Sequence, residues 1–268
     1  MPSTGRKRKP EMISTTSTSH VLSIEIDNPG SLNAISASDF HDLAEIWESY
    51  AQDSQARCAV ISGSGSRAFS VGANVKEFQG DRSPDAFWHN PSRGYGHNLE
   101  DGRALWKPVI SAIDGYCLGG GLVLALGTDI RIATRRSSFG LPEVKIGTNT
   151  VTGASLLARE IGPSRAARIA LVGDRIDADT AYDWGLVTEL VDGEHDEVLA
   201  RAHQLADLIA ANGPRAVQAT KEVIRRSADM DFRDVLALGE SLREIVSASG
   251  EFEEGVAAFV EKREPHFR

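Results

Sequence analysis

Cysteine is scarce: the 268 residues contain two, Cys58 and Cys117, each inside an apolar, strand-like run and outside any CxxC or Cys/His spacing. Their placement argues against a disulfide framework and a structural metal, and leaves both as reduced packing residues. Positive charge is also short. Lys and Arg number 29 against 38 Asp and Glu, a net charge of −9, and the acids are spread along the chain, which disfavours nucleic acid as the main partner. No apolar run approaches the roughly 18 residues of a membrane span. Neither GxGxxG nor GxxxxGK[ST] occurs, so the dinucleotide fingerprint and the phosphate loop are both missing.

What is there suits one large globular domain: 41% of residues are hydrophobic, ample for a buried core. The opening "MPSTGRKRKPEMISTTSTSH" is basic, then Ser/Thr-rich, and has no apolar core of a secretory signal. Residues 1–19 are therefore expected to be a disordered tail, and the default compartment is cytoplasmic. Its "RKRK" reads as an address, a polyanion contact or simply a charged terminus.

"VLSIEID" alternates Leu22, Ile24 and Ile26, the period of a half-buried strand, and runs into the turn signal "NPG". Ser36 can cap a helix whose apolar positions are Phe40, Leu43, Ala44 and Trp47, with Asp39, Asp42, Glu45 and Glu48 on its exposed face. "CAVISGSG", "PVISAIDGYC", "DIRIAT" and "GLVTELV" read as short buried strands separated by loops or helical patterns, which predicts an α/β core over residues 20–193. Residues 80–98 are irregular and read as a binding loop or as surface variation. From residue 194 to 268 helices take over. Their stripes run through Val198, Ala202, Leu205, Ala206 and Ile209, then Phe232, Val235, Leu236, Leu242 and Ile245, then Phe252, Val256, Phe259 and Val260. Each stripe requires a surface to cover it, either the chain's own core or a neighbouring subunit.

Two glycine-bearing loops stand out, "AFSVGANVKEF" around Gly72 and Ala73, and "GYCLGGGLVLALGTD" around Gly119, Gly120 and Gly121. Each reads either as a tight turn or close packing, or as backbone amides presented to a ligand at a helix start. A third segment, "SSFGLPEVKIGT", puts Glu143 after Pro142 at the end of an apolar stretch. Alone, such a glutamate reads as a surface carboxylate. With two amides it meets what enolate chemistry on a thioester requires: donors for the negative oxygen and a carboxylate to move a proton at the neighbouring carbon. The neighbours Leu141, Pro142, Val144 and Ile146 are compatible with an apolar surround that raises its pKa.

These segments, with "SLNAIS", "ARIALVGDRIDADTAYDWGLVTELV" and "EEGVAAFVEKREPHF", resemble in order and spacing the crotonase superfamily, also called the enoyl-CoA hydratase/isomerase family. The resemblance spans nearly the whole chain after the tail. It implies an α/β spiral of ββα units with a C-terminal helical region that builds homotrimers or dimers of trimers. It implies an acyl-CoA thioester substrate, with no other cofactor and no metal, its carbonyl between the backbone N–H groups of Ala73 and Gly120 and Glu143 as acid/base. By the same resemblance Leu32, Asn33, Ala34, Val75 and Lys76 match coenzyme A contacts, and Phe259 and Lys262 match residues that reach coenzyme A near a subunit boundary. Lys76 and Lys262 also have a plain reading as solvated surface lysines.

The pattern breaks at one position. Hydratases of the family carry two glutamates, in "GGGxE" and "PE", whereas here Glu143 keeps the second and Val123 stands at the first. The further acid of related dienoyl-CoA isomerases falls on Val151, and the "PGxGG" run common among hydratases is absent. A single carboxylate suits double-bond isomerisation, which is the expected reaction. The alternatives are a hydratase, thioesterase or lyase with a different acid or a water, and a non-catalytic CoA- or RNA-binding member. His89 and His97, in the irregular segment, are candidate auxiliary acids or bases.

Overall fold

The structure, a computed structural model, describes residues 12–78 and 105–267. The tail up to residue 11, the segment 80–98, and His89 and His97 lie outside the described residues. Strand β1 (Ile13–Thr18) pairs antiparallel with β2 (Val21–Ile26) across Ser19 and His20, whose φ values are 49° and 72°. Two left-handed residues make the tight turn whose twist suits a hairpin. Residues 13–18 are thus an edge strand rather than part of a tail. Only Ile13 of the strand is buried, which is why its pattern is polar.

Helix α1 (Ala37–Gln52) starts at Ser36 as expected, with a reciprocal cap. The Ser36 hydroxyl accepts from the Asp39 N–H, and the Asp39 carboxylate accepts from the Ser36 N–H at 2.7 Å. Asp39 is therefore buried instead of joining the exposed acidic face, where Asp42, Glu45 and Glu48 remain.

Strands β3 (Cys58–Gly63), β5 (Val109–Ile113), β7 (Ile130–Thr134) and β10 (Glu189–Val191) extend the first sheet in the order β1-β2-β3-β5-β7-β10. Strands β4 (Ala68–Ser70), β6 (Tyr116–Leu118), β8 (Ser138–Gly140) and β9 (Ile176–Asp177) form the second, β4-β6-β8-β9. From β3 to β8 each odd strand joins one sheet and each even strand the other, so the chain climbs as a spiral of strand pairs. "PVISAIDGYC" is accordingly two strands, with Asp114 and Gly115 turning the chain from one sheet to the other. Helix α2 (Gly120–Gly127) follows the pair β5β6. After β7β8 come a 3-10 turn (Glu143–Ile146), α3 (Val151–Ile161) and α4 (Pro163–Val172), and α5 (Ala178–Asp183) lies between β9 and β10. This is the expected α/β spiral.

The central strands of the first sheet are buried on both faces, which explains why β3 and β5 are apolar but for one serine each. Ile61, Val109, Ile113 and Ala133 point into the main core with Phe69, Phe139 and Leu122. Val60, Ile110, Ala112 and Ile132 face α6 (His195–Ala210), which lays Val198, Ala202, Ala206 and Ala210 on them. The helices after residue 194 thus begin with one that belongs to the spiral's own core. The next three, α7 (Pro214–Arg226), α8 (Phe232–Ser247) and α9 (Glu251–Glu261), differ. On α8 and α9 the apolar stripes are largely uncovered: Phe232 is 72% exposed, Phe252 67% and Phe259 86%. Among the described residues no helix is long and apolar enough to cross a membrane.

Candidate active site

Three segments converge at the ends of β4, β6 and β8. The first is the loop through Gly72 and Ala73. Its edge is a parallel bridge in which the Ile35 N–H donates to Gly72 O and the Asn74 N–H donates to Ile35 O, each at 2.8 Å. That pattern leaves the N–H of Ala73 itself directed away from Ile35. Ser70 braces the loop, its hydroxyl donating to Asn33 O at 2.7 Å and accepting from the Gly72 N–H at 3.0 Å.

The second segment is the start of α2. Gly119 occupies a backbone conformation (φ 54°, ψ −129°) suited to glycine, and Gly120 is the first helical residue. A first-turn N–H has no acceptor within its helix, and the helix dipole lies behind it. The two loops interlock. A methyl group built on Gly72 (φ 81°) would stand 2.3 Å from the Gly120 nitrogen, and one built on Gly120 would stand 3.4 Å from the Ala73 nitrogen. The amides of Ala73 and Gly120 are therefore neighbours, and only glycine fits at 72.

Glu143 supplies the third segment. Its Oε1 lies 3.6 Å from the place where a methyl on Gly119 would be, and its Oε2 is buried with no hydrogen-bond partner. Burial pushes the carboxyl above the ordinary glutamate range, against its own backbone N–H and the Thr150 hydroxyl, which favour the ionised form. The apolar surround differs from expectation: Val144 and Ile146 are exposed, while Leu141 is buried. The carboxyl lies instead against the glycine start of α2, a contact across the fold.

Val123 sits one turn into α2 and packs on α3. A methyl on Gly153 would lie 3.0 Å from Val123 Cγ2, 2.5 Å from Thr150 Oγ1 and 3.1 Å from Leu141 Cδ2. The position where a second acid was sought is thus apolar. Val151, the other position considered for an acid, is 72% exposed. Sequence reading missed Ser70 and Thr150. The available sign for Thr150 was a threonine ahead of a helical pattern.

The turn at Leu32, Asn33 and Ala34 is brought against the Ala73 loop through the Ser70 bond and a Val71 N–H to Leu32 O bond of 3.2 Å. Asn33 serves the fold. It is 1% exposed, its amide donates to Ser64 O at 3.0 Å and Ala68 O at 2.7 Å, and its oxygen accepts from the Asn28 N–H at 2.9 Å. Its side chain is therefore a brace of the turn. Val75 and Lys76 are exposed beside Ala73. Phe259 is exposed on α9 and Lys262 just past its end; α9 packs on α8, and no described contact joins either residue to the Glu143 cleft within one chain. An open cavity of about 590 Å³ at the other ends of β6 and β8, lined by Tyr116, Ser138, Arg168 and Arg175 among others, contains none of these residues.

Comparison with known proteins finds that the profile of the family described as enoyl-CoA hydratase/isomerase matches residues 16–268. The (E)-benzylidenesuccinyl-CoA hydratase of Thauera aromatica is 33% identical over 93% of this chain and 96% of its own. The mevalonyl-coenzyme A hydratase SIDH of Beauveria bassiana is 35% identical over 92% of this chain and 90% of its own. Among solved structures, an enoyl-CoA hydratase from Bacillus anthracis superposes with a TM-score of 0.87 at 32% identity, covering 96% of this chain and 98% of that one.

Proposed function

This chain belongs to the enoyl-CoA hydratase/isomerase family of acyl-CoA-processing enzymes, and from that premise we propose that it runs one-carboxylate enolate chemistry through Glu143. The observation that carries the reading is the pairing of a buried, unpartnered Glu143 Oε2 with valine at 123. The thioester oxygen sits between the N–H groups of Ala73 and Gly120. Glu143 removes a proton from the α carbon of a 3-enoyl thioester, the dienolate oxygen is held by the two amides, and Glu143 returns the proton at the γ carbon as the double bond moves to the 2 position. Each such donor is worth about 2.7–4 kcal/mol at the transition state. The raised pKa makes the ionised Glu143 carboxylate a stronger base.

Coenzyme A enters as part of the substrate, with no further cofactor, along the backbone of Leu32, Asn33 and Ala34 and past Val75 and Lys76. The uncovered stripes of α8 and α9 support a homotrimer or a pair of trimers in which Phe259 and Lys262 of one copy reach coenzyme A bound to the next. Light scattering should give a mass of three or six chains, and a monomeric mass would overturn this arrangement.

Hydration or dehydration is the second reading, favoured by the names of the relatives. Product analysis with a 3-enoyl-CoA and a 2-enoyl-CoA separates the two: rapid hydration of the 2-enoyl substrate with no isomerisation sinks the leading one. Glu143→Gln should lower kcat by about 10²–10⁴-fold, the usual contribution of a positioned acid/base, while acyl-CoA affinity stays. Retained turnover would put the base elsewhere.

A further inference from the structure

Helix α2 has eight residues, two turns and about 12 Å of axis, and none of its side chains is polar. Leu122, Leu124, Ala125 and Leu126 are buried, but apolar packing is non-directional, so directional bonds at the two ends must fix the helix along its axis. At the amide end the Gly119 N–H donates to Gly140 O at 2.9 Å. At the carbonyl end the last C=O groups of a helix have no intrahelical donor, and here guanidinium groups supply donors. Arg131, buried, donates to Thr128 O at 2.9 Å. Arg225, which comes from α7 in the C-terminal region, donates to Gly127 O at 2.7 Å.

Arg225 is itself anchored. Its Nη2 and Nε reach Asp129 Oδ1 at 3.0 and 3.2 Å, while Asp129 Oδ2 accepts from the Val109 N–H at 2.8 Å and pairs with Lys221 Nζ at 2.7 Å. Lys221 is buried one turn before Arg225 and donates also to Lys107 O at 2.7 Å. Glu160 pairs with Arg131 at 2.7 Å. The cations Arg131, Lys221 and Arg225 therefore outnumber the carboxylates Asp129 and Glu160, and the carbonyl end of α2 carries net positive charge.

We infer that Arg225 is a positioning residue for the reaction: by holding Gly127 O it sets α2 along its axis, and with it the Gly120 N–H against Ala73. Its charge also offsets the negative pole of the helix dipole, so the positive pole at Gly120 acts on the thioester oxygen less opposed. The site has little slack for a shift of α2, since a methyl on Gly72 would already stand 2.3 Å from the Gly120 nitrogen. The C-terminal region thus serves the site within one chain, apart from any part in assembly. The inference rests on the reading that the thioester oxygen lies between the Ala73 and Gly120 amides.

The test compares Arg225→Met with Arg226→Met. Arg226 is the next residue on α7, pairs with Glu222 at 2.8 Å and lies over the Trp106 ring, so its loss removes the same charge without touching α2. Two readouts are taken on folded protein: kcat and KM, and the infrared carbonyl stretch of bound butyryl-CoA isotope-labelled at the thioester carbon, which falls as the amides bond the oxygen more strongly. Arg225→Met should lower kcat about tenfold, the order expected for one hydrogen bond to a charged group, with KM little changed and the bound stretch moved back toward its value in water. Arg226→Met should keep the wild-type rate and stretch. A merely structural Arg225 would lower Tm and leave the stretch of the folded variant where it is. If Arg225→Met does not fold, Arg225→Lys is read in its place: the ammonium lacks the fork that holds Gly127 O and Asp129 together, and the stretch should move part of the way. A wild-type stretch in the folded Arg225 variant, or an equal change in Arg226→Met, overturns the inference while the thioester reading stands. No lowering of the stretch on binding to the wild type would overturn that reading and this inference together.

Discussion

The two walls of the cleft are built to opposite rules. One wall, the Gly72–Ala73 loop and the start of α2, offers backbone, and its one side chain of interest, Val123, is apolar. The other, the Glu143 turn and Thr150, offers side chains: a carboxyl with one unpartnered oxygen and a hydroxyl diverted from helix capping. Backbone amides carry no residue identity, so that wall constrains only what must be absent, a Cβ where two loops touch. Side chains decide which proton moves. Under the proposed reading the backbone wall serves a step common to enolate chemistry, and the side-chain wall, with the residue at 123, selects the reaction.

Gly72→Ala attacks the backbone wall and has the larger expected effect. The added methyl would stand 2.3 Å from the Gly120 nitrogen and 2.8 Å from its Cα, at a φ of 81°. Neither side can yield by a rotamer change, because both are main chain. Parting the two amides should cost about 10²–10³-fold in kcat, the loss seen when one oxyanion donor goes. Overpacking adds roughly 1–3 kcal/mol of destabilisation, read as a lower Tm. Gly30→Ala is the control, since nothing lies within 4 Å of a methyl there and rate and Tm should hold. A Gly72→Ala enzyme with wild-type kcat would break the comparison, because the wall would then be packing and nothing more.

The walls also differ in how far the sequence revealed them. The backbone wall was legible because glycines flag close approach wherever they cluster, and the strands around them carry their own period. The Ser36 cap and the α6 stripe were legible for the same reason, each being a local pattern. Asp39 was misjudged because helical spacing alone put it on the polar face, whereas the cap bond turns it inward. Strand β1 was hidden because its turn, Ser19–His20, lacks the glycine or asparagine that usually marks a hairpin. The side-chain wall was half legible. Glu143 followed from its motif, but its carboxyl lies against the start of α2, while Val144 and Ile146 beside it are exposed. Thr150 showed only as a threonine ahead of a helical pattern, since the destination of its hydroxyl depends on the space left by Gly153 and on the packing of α3 against α2.

The smaller prediction moves a side chain onto the backbone wall. Residue 123 lies three positions after Gly120 and so about one turn along the same helix face, next to Thr150 and Leu141. A glutamate there would give the cleft a carboxylate on each wall, one able to activate water and one able to protonate the α carbon. Val123→Glu should raise hydration of a 2-enoyl-CoA by about tenfold, below the 10²–10⁴ of a well-placed acid/base, because Leu141 and Gly153 beside it offer the new carboxylate no side-chain donor. Half-burying an unsupported polar group should also cost about 1–3 kcal/mol, visible as a lower Tm. The informative comparison is the ratio of hydration to isomerisation in the variant against the wild type. If that ratio does not rise in a folded variant, residue 123 does not separate the two reactions. If the wild type already hydrates fast, the apolar wall excludes no water, and the polar group that holds it must be sought beside Glu143, with Thr150 as the first residue to substitute in Val123→Glu and wild-type backgrounds alike.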